Sequence, residues 1–209
     1  MKVTLKADPF PHVLMSEFYT AEELSDVSEE LKLLSKHALG PDKTGSAVDM
    51  KEIEGGFGQE YVYRKKNKGI FLSSFFKVEK ESAISKANRK LFDKEFMQTL
   101  NNFNFMFGYL LNTNWDSSLV QFYSNGDYYK GHRDIAVFSN IVNCCSDPKE
   151  YDGGMLRFVD YDYSVDLRRN ESILFPSCLE HEVTPVTVNH NDVMRSRITI
   201  TTFIGISAG

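Results

Sequence analysis

Cysteine is scarce in this sequence: Cys144, Cys145 and Cys178 are the only three in 209 residues. An odd count with two adjacent members cannot build a disulfide framework, because neighbouring cysteines make a strained pair. They read instead as small buried hydrophobes in a reducing cytosol, and the protein is expected to be cytoplasmic. The opening Met1-Lys2-Val3-Thr4-Leu5-Lys6-Ala7-Asp8-Pro9 has no apolar signal region, and no apolar run approaches membrane-spanning length. No membrane partner is therefore expected. Excess positive charge is missing as well. A formal net charge of -5 and a pI near 5.6 give no broad attraction to nucleic acid or acidic lipid. The one basic cluster, Arg64-Lys65-Lys66-Asn67-Lys68, reads as a solvated loop. Repeats, low-complexity tracts and linkers are absent too, so residues 1–209 are expected to form one domain.

What is present is an ordinary globular balance, 42% hydrophobic and 25% charged, enough to build a core. The first part, up to about residue 104, is mixed. Phe10 to Met15 suggests a short strand. Thr20-Ala21-Glu22-Glu23 then matches a capping box, and Leu24, Val27, Leu31 and Leu34 follow at helical spacing, predicting a helix over about 21–37. Gly40 to Gly58 reads as a loop, Tyr61–Tyr63 and Ile70–Leu72 as short strands, and about 81–102 as one or two helices. From about 105 to 206 the pattern becomes short β-like runs, beginning with Phe105–Leu111 and ending with Ser196–Ile206. Asn125-Gly126-Asp127 and Asp152-Gly153-Gly154 punctuate them as turns. The expected class is mainly β with flanking α-helices: a jelly-roll core, or double-stranded β-helix, with N-terminal helices on one outer face.

Five histidines are present, and His132 stands out because Asp134 follows it by two. Residues i and i+2 of a strand share a face, so the two can hold one ion together. His181, at the start of a later strand, supplies a third ligand. Two histidines and one carboxylate with three positions left open is the arrangement of a non-haem iron(II) oxygenase. Downstream, Arg197, Thr199 and Thr201 share one face of a strand while Ile198 and Ile200 share the other. A buried arginine among hydroxyls suits a carboxylate, which it can grip with a bidentate fork. Arg195 falls on the same face and is the rival for that role. His190 sits in a polar turn and reads as a solvated loop residue, and His12 and His37 receive no role.

These blocks resemble the 2-oxoglutarate- and iron(II)-dependent oxygenases, in particular the prolyl 4-hydroxylase-like branch. The resemblance is carried by Tyr123-Ser124-Asn125-Gly126-Asp127-Tyr128-Tyr129-Lys130-Gly131-His132-Arg133-Asp134 and by Gly153-Gly154-Met155-Leu156. It continues in Leu174-Phe175-Pro176-Ser177, in His181-Glu182-Val183-Thr184-Pro185-Val186 and in Arg197-Ile198-Thr199. It covers about residues 118–206, and more loosely 8–37 through Asp8-Pro9-Phe10-Pro11-His12-Val13 and the helix after it. One departure is the length from His181 to Arg197, sixteen residues, whose excess falls in 188–194.

The resemblance implies iron(II) on His132, Asp134 and His181, with 2-oxoglutarate held by Arg197, Tyr123 and Thr199. It implies dioxygen as the second co-substrate and leaves room for ascorbate. The implied reaction converts 2-oxoglutarate to succinate and CO2 while a substrate C–H is hydroxylated, and the branch points to a prolyl residue of a protein or peptide. A free amino acid or small metabolite is the alternative, and a non-catalytic binding module the more distant one. Asp134 at the carboxylate position argues against halogenating relatives. Nucleic-acid-repair relatives carry a second arginine where this sequence has Phe203, so a nucleic-acid partner is not expected. Residues 40–75, with Gly55-Gly56-Phe57-Gly58, Tyr61 and Tyr63, are a candidate substrate lid.

Overall fold

In the computed structural model, which describes residues 1–52, 59–78 and 81–207, two antiparallel sheets face one another. The chain opens with β1 (Lys2–Lys6), β2 (His12–Ser16) and α1 (Ala21–Ser35). There follow α2 (Pro41–Thr44), β3 (Val48–Glu52), β4 (Gln59–Tyr63), β5 (Lys65–Lys66) and β6 (Lys68–Phe71). Helices α3 (Leu72–Phe75), α4 (Ala83–Asn88) and α5 (Lys94–Phe103) lead to β7 (Trp115–Tyr123), β8 (Tyr128–His132) and β9 (Phe138–Asn143). The remainder is β10 (Asp152–Gly153), β11 (Leu156–Phe158), β12 (Tyr163–Val165), β13 (Glu171–Pro176), β14 (His181–Val183), β15 (Val186–Thr187) and β16 (Arg197–Gly205). The larger sheet runs β1-β2-β13-β9-β16-β7-β6 and the smaller β12-β11-β14-β8-β5. This is the jelly roll with helices on one outer face.

The central strands of the larger sheet, β13, β9 and β16, are covered on both sides, and their side chains alternate between two interiors. On β9 and β16, Val142, Ile198, Ile200 and Ile204 turn outward and pack with Val27, Leu31 and Leu34 of α1 and with Ile84 and Leu100 of α4 and α5. Burying each such side chain stabilises the fold by roughly 1.5–3 kcal/mol relative to leaving it exposed. Ile141, Ile173 and Phe175 turn the other way and meet Leu156 and Phe158 of the smaller sheet. Helix α1 starts where the capping box predicts: Thr20 Oγ1 accepts from the Glu23 amide and the Glu23 carboxylate accepts from the Thr20 amide. No helix among the described residues is long and apolar enough to cross a membrane.

Several sequence expectations are corrected here. Phe105–Asn112 is a 3-10 helix, not a strand. Asn104 caps it by accepting from the Met106 amide, and its buried residues, Phe107 and Leu110, are three apart and not two. The β-rich later part of the chain thus begins at Trp115, not at Phe105. The stretch from Gly40 contains α2 and β3, the latter paired with β4 over Val48↔Tyr63 to Glu52↔Gln59. Gly55 to Gly58 lie outside the described residues. Cys178 is exposed, whereas Cys145 is buried and Cys144 half-buried; all three are free thiols. The basic run 64–68 is not a solvated loop: Arg64 bends the chain after β4, Lys65 and Lys66 form β5 and Lys68 opens β6, with Lys65 and Asn67 buried.

Candidate active site

Strand pairing brings the two histidines together. His181 on β14 stands directly opposite His132 on β8, and their rings lie 4.4 Å apart between centroids. Asp134 is not on the strand, as its spacing from His132 suggested, because β8 ends at His132. A loop carries it, fixed by the Asp134 amide donating to Ser177 O (3.0 Å) and by Ser139 Oγ donating to Asp134 Oδ2 (2.6 Å). The carboxylate ends 3.7 Å from His132 Nε2 and 3.5 Å from His181 Nε2. All three ligand atoms lie within 4.8 Å of one another.

The chemistry of this donor set fits a metal ion. His132 Nδ1 is 2.9 Å from Lys130 O and His181 Nδ1 is 2.9 Å from Leu179 O. A carbonyl oxygen only accepts, so each Nδ1 carries the proton and each Nε2 turns a lone pair toward the shared point. Burial, reinforced by His181 nearby, pushes the His132 pKa down to about 3, so its imidazole is neutral and available as a ligand. The Tyr129 ring lies flat on the His132 ring at 3.5 Å and holds its plane. Bonds of about 2 Å to one ion would require these atoms to stand closer together than they do here.

The three ligands open onto a cavity of about 570 Å³. Register places Arg197 of β16 opposite Tyr123 of β7, and both face this cavity with Thr199, Thr201 and Gln121. Arg197 is 3% exposed; its Nε donates to Gly154 O at 2.7 Å, and its guanidinium carbon sits 4.6 Å from the Tyr123 ring centre. Its Nη1 is buried with no hydrogen-bond partner, a donor group waiting for an acceptor. Burial pushes the Tyr123 hydroxyl upward in pKa, opposed by the adjacent Arg197, so the phenol stays a neutral donor. Thr201 Oγ1 donates to Gln121 Oε1 at 3.2 Å, leaving Thr199 the unengaged hydroxyl of that face.

Glycine explains how Arg197 reaches this place. Gly153 and Gly154 have φ of +68° and +64°, the left-handed region, and a Cβ on Gly154 would stand 2.6 Å from Arg197 Cδ. The rival arginine is elsewhere: Arg195 lies on an exposed 3-10 turn and is ion-paired with Glu150. His190 is near Glu150 O, His12 is buried beside Phe10, and His37 packs on Phe75; none joins the triad.

Some of the cavity was not foreseen. Lys65 lines it, as do Trp115, Phe71 and Phe203 on an apolar wall and Thr44 to Ala47 near the mouth. Ile135, fully exposed beside Asp134, stands at the rim. The signal for Lys65 and Asn67 was the period-2 placement of both in one run, hidden because their outward neighbours Lys66 and Lys68 are just as polar.

Comparison with known proteins agrees with this geometry. Residues 118–205 match the model of the 2OG-Fe(II) oxygenase superfamily. No curated protein matches the chain. Among solved structures it is similar to a prolyl-4-hydroxylase from Pseudomonas putida, at 15% identity over 94% of this chain and 93% of the other, TM-score 0.60. It is also similar to a viral collagen prolyl hydroxylase from Paramecium bursaria Chlorella virus-1 solved with 2OG, at 16% identity over 94% and 96%, TM-score 0.54. A non-heme alpha-ketoglutarate-dependent epimerase from nogalamycin biosynthesis, SnoN, gives 11% identity over 93% and 77%, TM-score 0.51. At such identities these structures speak for the fold. The segment that carries the triad and Arg197 is thus the one that matches the 2OG-Fe(II) oxygenase superfamily model.

Proposed function

We propose that this protein is a 2-oxoglutarate- and iron(II)-dependent dioxygenase that hydroxylates a C–H bond, with a prolyl residue of a protein or peptide as its substrate. The observation that carries the reading is one cavity with His132, Asp134 and His181 on one side and the unpartnered Arg197 Nη1 on another. A non-catalytic binding module has no need of both. Iron(II), when bound, supplies dioxygen activation coupled to conversion of 2-oxoglutarate to succinate and CO2. The chain's own residues hold and orient. His132, Asp134 and His181 are the ligands, and Arg197 with Tyr123 and Thr199 receives the far carboxylate of the co-substrate. Ser139 fixes the Asp134 carboxylate. Phe71, Trp115 and Phe203 give the substrate side an apolar wall that excludes water. The prolyl substrate is supported by the likeness of the fold to two prolyl hydroxylases.

The test is succinate formation from 2-oxoglutarate with iron(II), comparing wild type with His132→Ala and Asp134→Ala. Each substitution removes a ligand and is expected to lower turnover by at least ~100-fold, beyond the loss typical of outer-sphere changes. Equal turnover in wild type and variants would sink the metal assignment. Mass analysis of proline-containing peptides then looks for a gain of one oxygen; its absence from peptides but presence on free amino acids would move the substrate to that class.

A further inference from the structure

Of the charged residues lining the cavity, Lys65 is the buried one that the reaction above leaves without a task. It is 3% exposed and faces the cavity from β5, whose register sets it opposite Tyr129. Its Nζ makes one hydrogen bond, to Thr44 O at 3.3 Å, and stands 5.6 Å from the centre of the Tyr129 ring. Among the described residues no carboxylate pairs with it. Lysine is seldom buried unpaired, because an ammonium group loses hydration that one carbonyl and one ring face do not replace. Burial accordingly lowers its pKa to about 8, which still leaves it cationic at neutral pH.

The other charges of the cavity are matched once its reactants are in place. Arg133 is paired with Glu180 and Asp160. A divalent ion, its Asp134 ligand and Arg197 together carry two net positive charges, which the dianion 2-oxoglutarate balances. Lys65 is left over. It stands on the smaller sheet, on the strand beside β8, whereas Arg197 stands on the larger sheet. The two cations therefore reach the cavity from different sheets.

We infer that Lys65 receives a carboxylate carried by the primary substrate, so that the enzyme selects an anionic substrate. This rests on the dioxygenase reading above. The carboxylate has two sources: the α-carboxylate of the prolyl unit itself, or an acidic side chain next to it in a peptide.

Trp115 is the sole tryptophan of the chain and lines the same cavity, so its fluorescence reports occupancy without turnover. The protein is loaded with zinc(II) in place of iron and saturated with 2-oxoglutarate, which keeps Arg197 occupied. It is then titrated with two matched pairs of probes. N-acetyl-L-proline against N-acetyl-L-prolinamide tests the α-carboxylate, and acetyl-Glu-Pro-amide against acetyl-Gln-Pro-amide tests the side chain. In one pair the anion is expected to bind on the order of tenfold tighter than its neutral partner. Lys65→Met and Lys65→Gln, two neutral variants of similar size, are expected to erase that difference, and Lys65→Arg to keep it.

Absence of discrimination by wild type in both pairs, or discrimination that survives both neutral variants, overturns the inference. So does a weakened affinity for 2-oxoglutarate in the neutral variants with the probe preference intact, since Lys65 then serves the co-substrate. Succinate formation by the iron-loaded wild type, measured alongside, separates the two readings. No succinate indicts the dioxygenase assignment itself, whereas succinate without anion preference indicts Lys65 alone.

Discussion

The cavity has two walls that are held in different ways. One is built by β7 and β16, paired without a break from Arg197↔Tyr123 to Gly205↔Trp115, and by β8 and β14, whose pairing sets His132 against His181. Its side chains point where the backbone ladder sends them. The other wall comes from residues 44–66, before β6 joins β7 in the larger sheet. Its β5 pairs with β8 over two residues only, Lys65↔Tyr129 and Lys66↔Tyr128, and its β3–β4 hairpin forms a sheet of its own. That hairpin is tied across by Arg64, which bonds Asp49 at 2.8 Å and donates to Gly131 O at 2.7 Å. The difference teaches a division of labour. On the proposed function, His132, His181 and Arg197 hold metal and co-substrate from the paired wall, where geometry is fixed, and the lightly tethered wall is left to the substrate.

If that division holds, damage to the paired wall falls on the co-substrate and damage to the other wall does not. The largest effect is expected from Arg197→Met. It removes charge-assisted hydrogen bonds worth about 1.5–3 kcal/mol, so the KM for 2-oxoglutarate rises by about ten- to a hundredfold. Steady-state kinetics with varied 2-oxoglutarate check this, and an unchanged KM would place the anion elsewhere.

Gly154→Ala is expected to act one step removed. The backbone at φ +64° disfavours a side chain, and the new Cβ must displace Arg197 Cδ, which stands 2.6 Å away. The strain costs about 1–3 kcal/mol and should appear as a lower Tm. A several-fold higher KM for 2-oxoglutarate should accompany it. A lower Tm with KM intact would show that Arg197 is placed by β16 alone.

The same contrast governs what could be read from sequence. The paired wall was legible because its motifs obey the strand period: Arg197, Thr199 and Thr201 inward, Ile198 and Ile200 into the helical layer. His132 and His181 were legible for their chemistry, and their convergence follows from pairing between β8 and β14, which are far apart in sequence. Asp134 reached the site by another route than its spacing implied, through Ser139 and the Ser177 carbonyl. No local pattern announces those bonds. Phe105–Asn112 misled because a strongly apolar run suits strand or helix equally until one sees which residues are buried. The basic run 64–68 misled for the opposite reason. Polar residues on both faces of a strand erase the alternation that marks burial, and a lysine is interior only because a cavity exists for it to face.

The smallest effect is expected from Arg64→Ala, and it tests the division most directly. Arg64 is about one-third exposed, as is Asp49, so their ion pair is screened and worth no more than about 1 kcal/mol. Its second bond, to the carbonyl of Gly131, sits next to His132 on the paired wall. Loss of both should loosen the hairpin of β3 and β4 without moving the ligands, because His132 keeps its own bond to Lys130 O and its stacked Tyr129. Hydrogen exchange is then expected to quicken across β3 and β4, residues 48–52 and 59–63, with a two- to fivefold rise in the KM for the primary substrate, the range that a loss of up to about 1 kcal/mol allows. The KM for 2-oxoglutarate should stay where it was. Should both constants rise together, the two walls are one mechanical unit, and selectivity for substrate could not have been changed on one wall without disturbing the metal on the other.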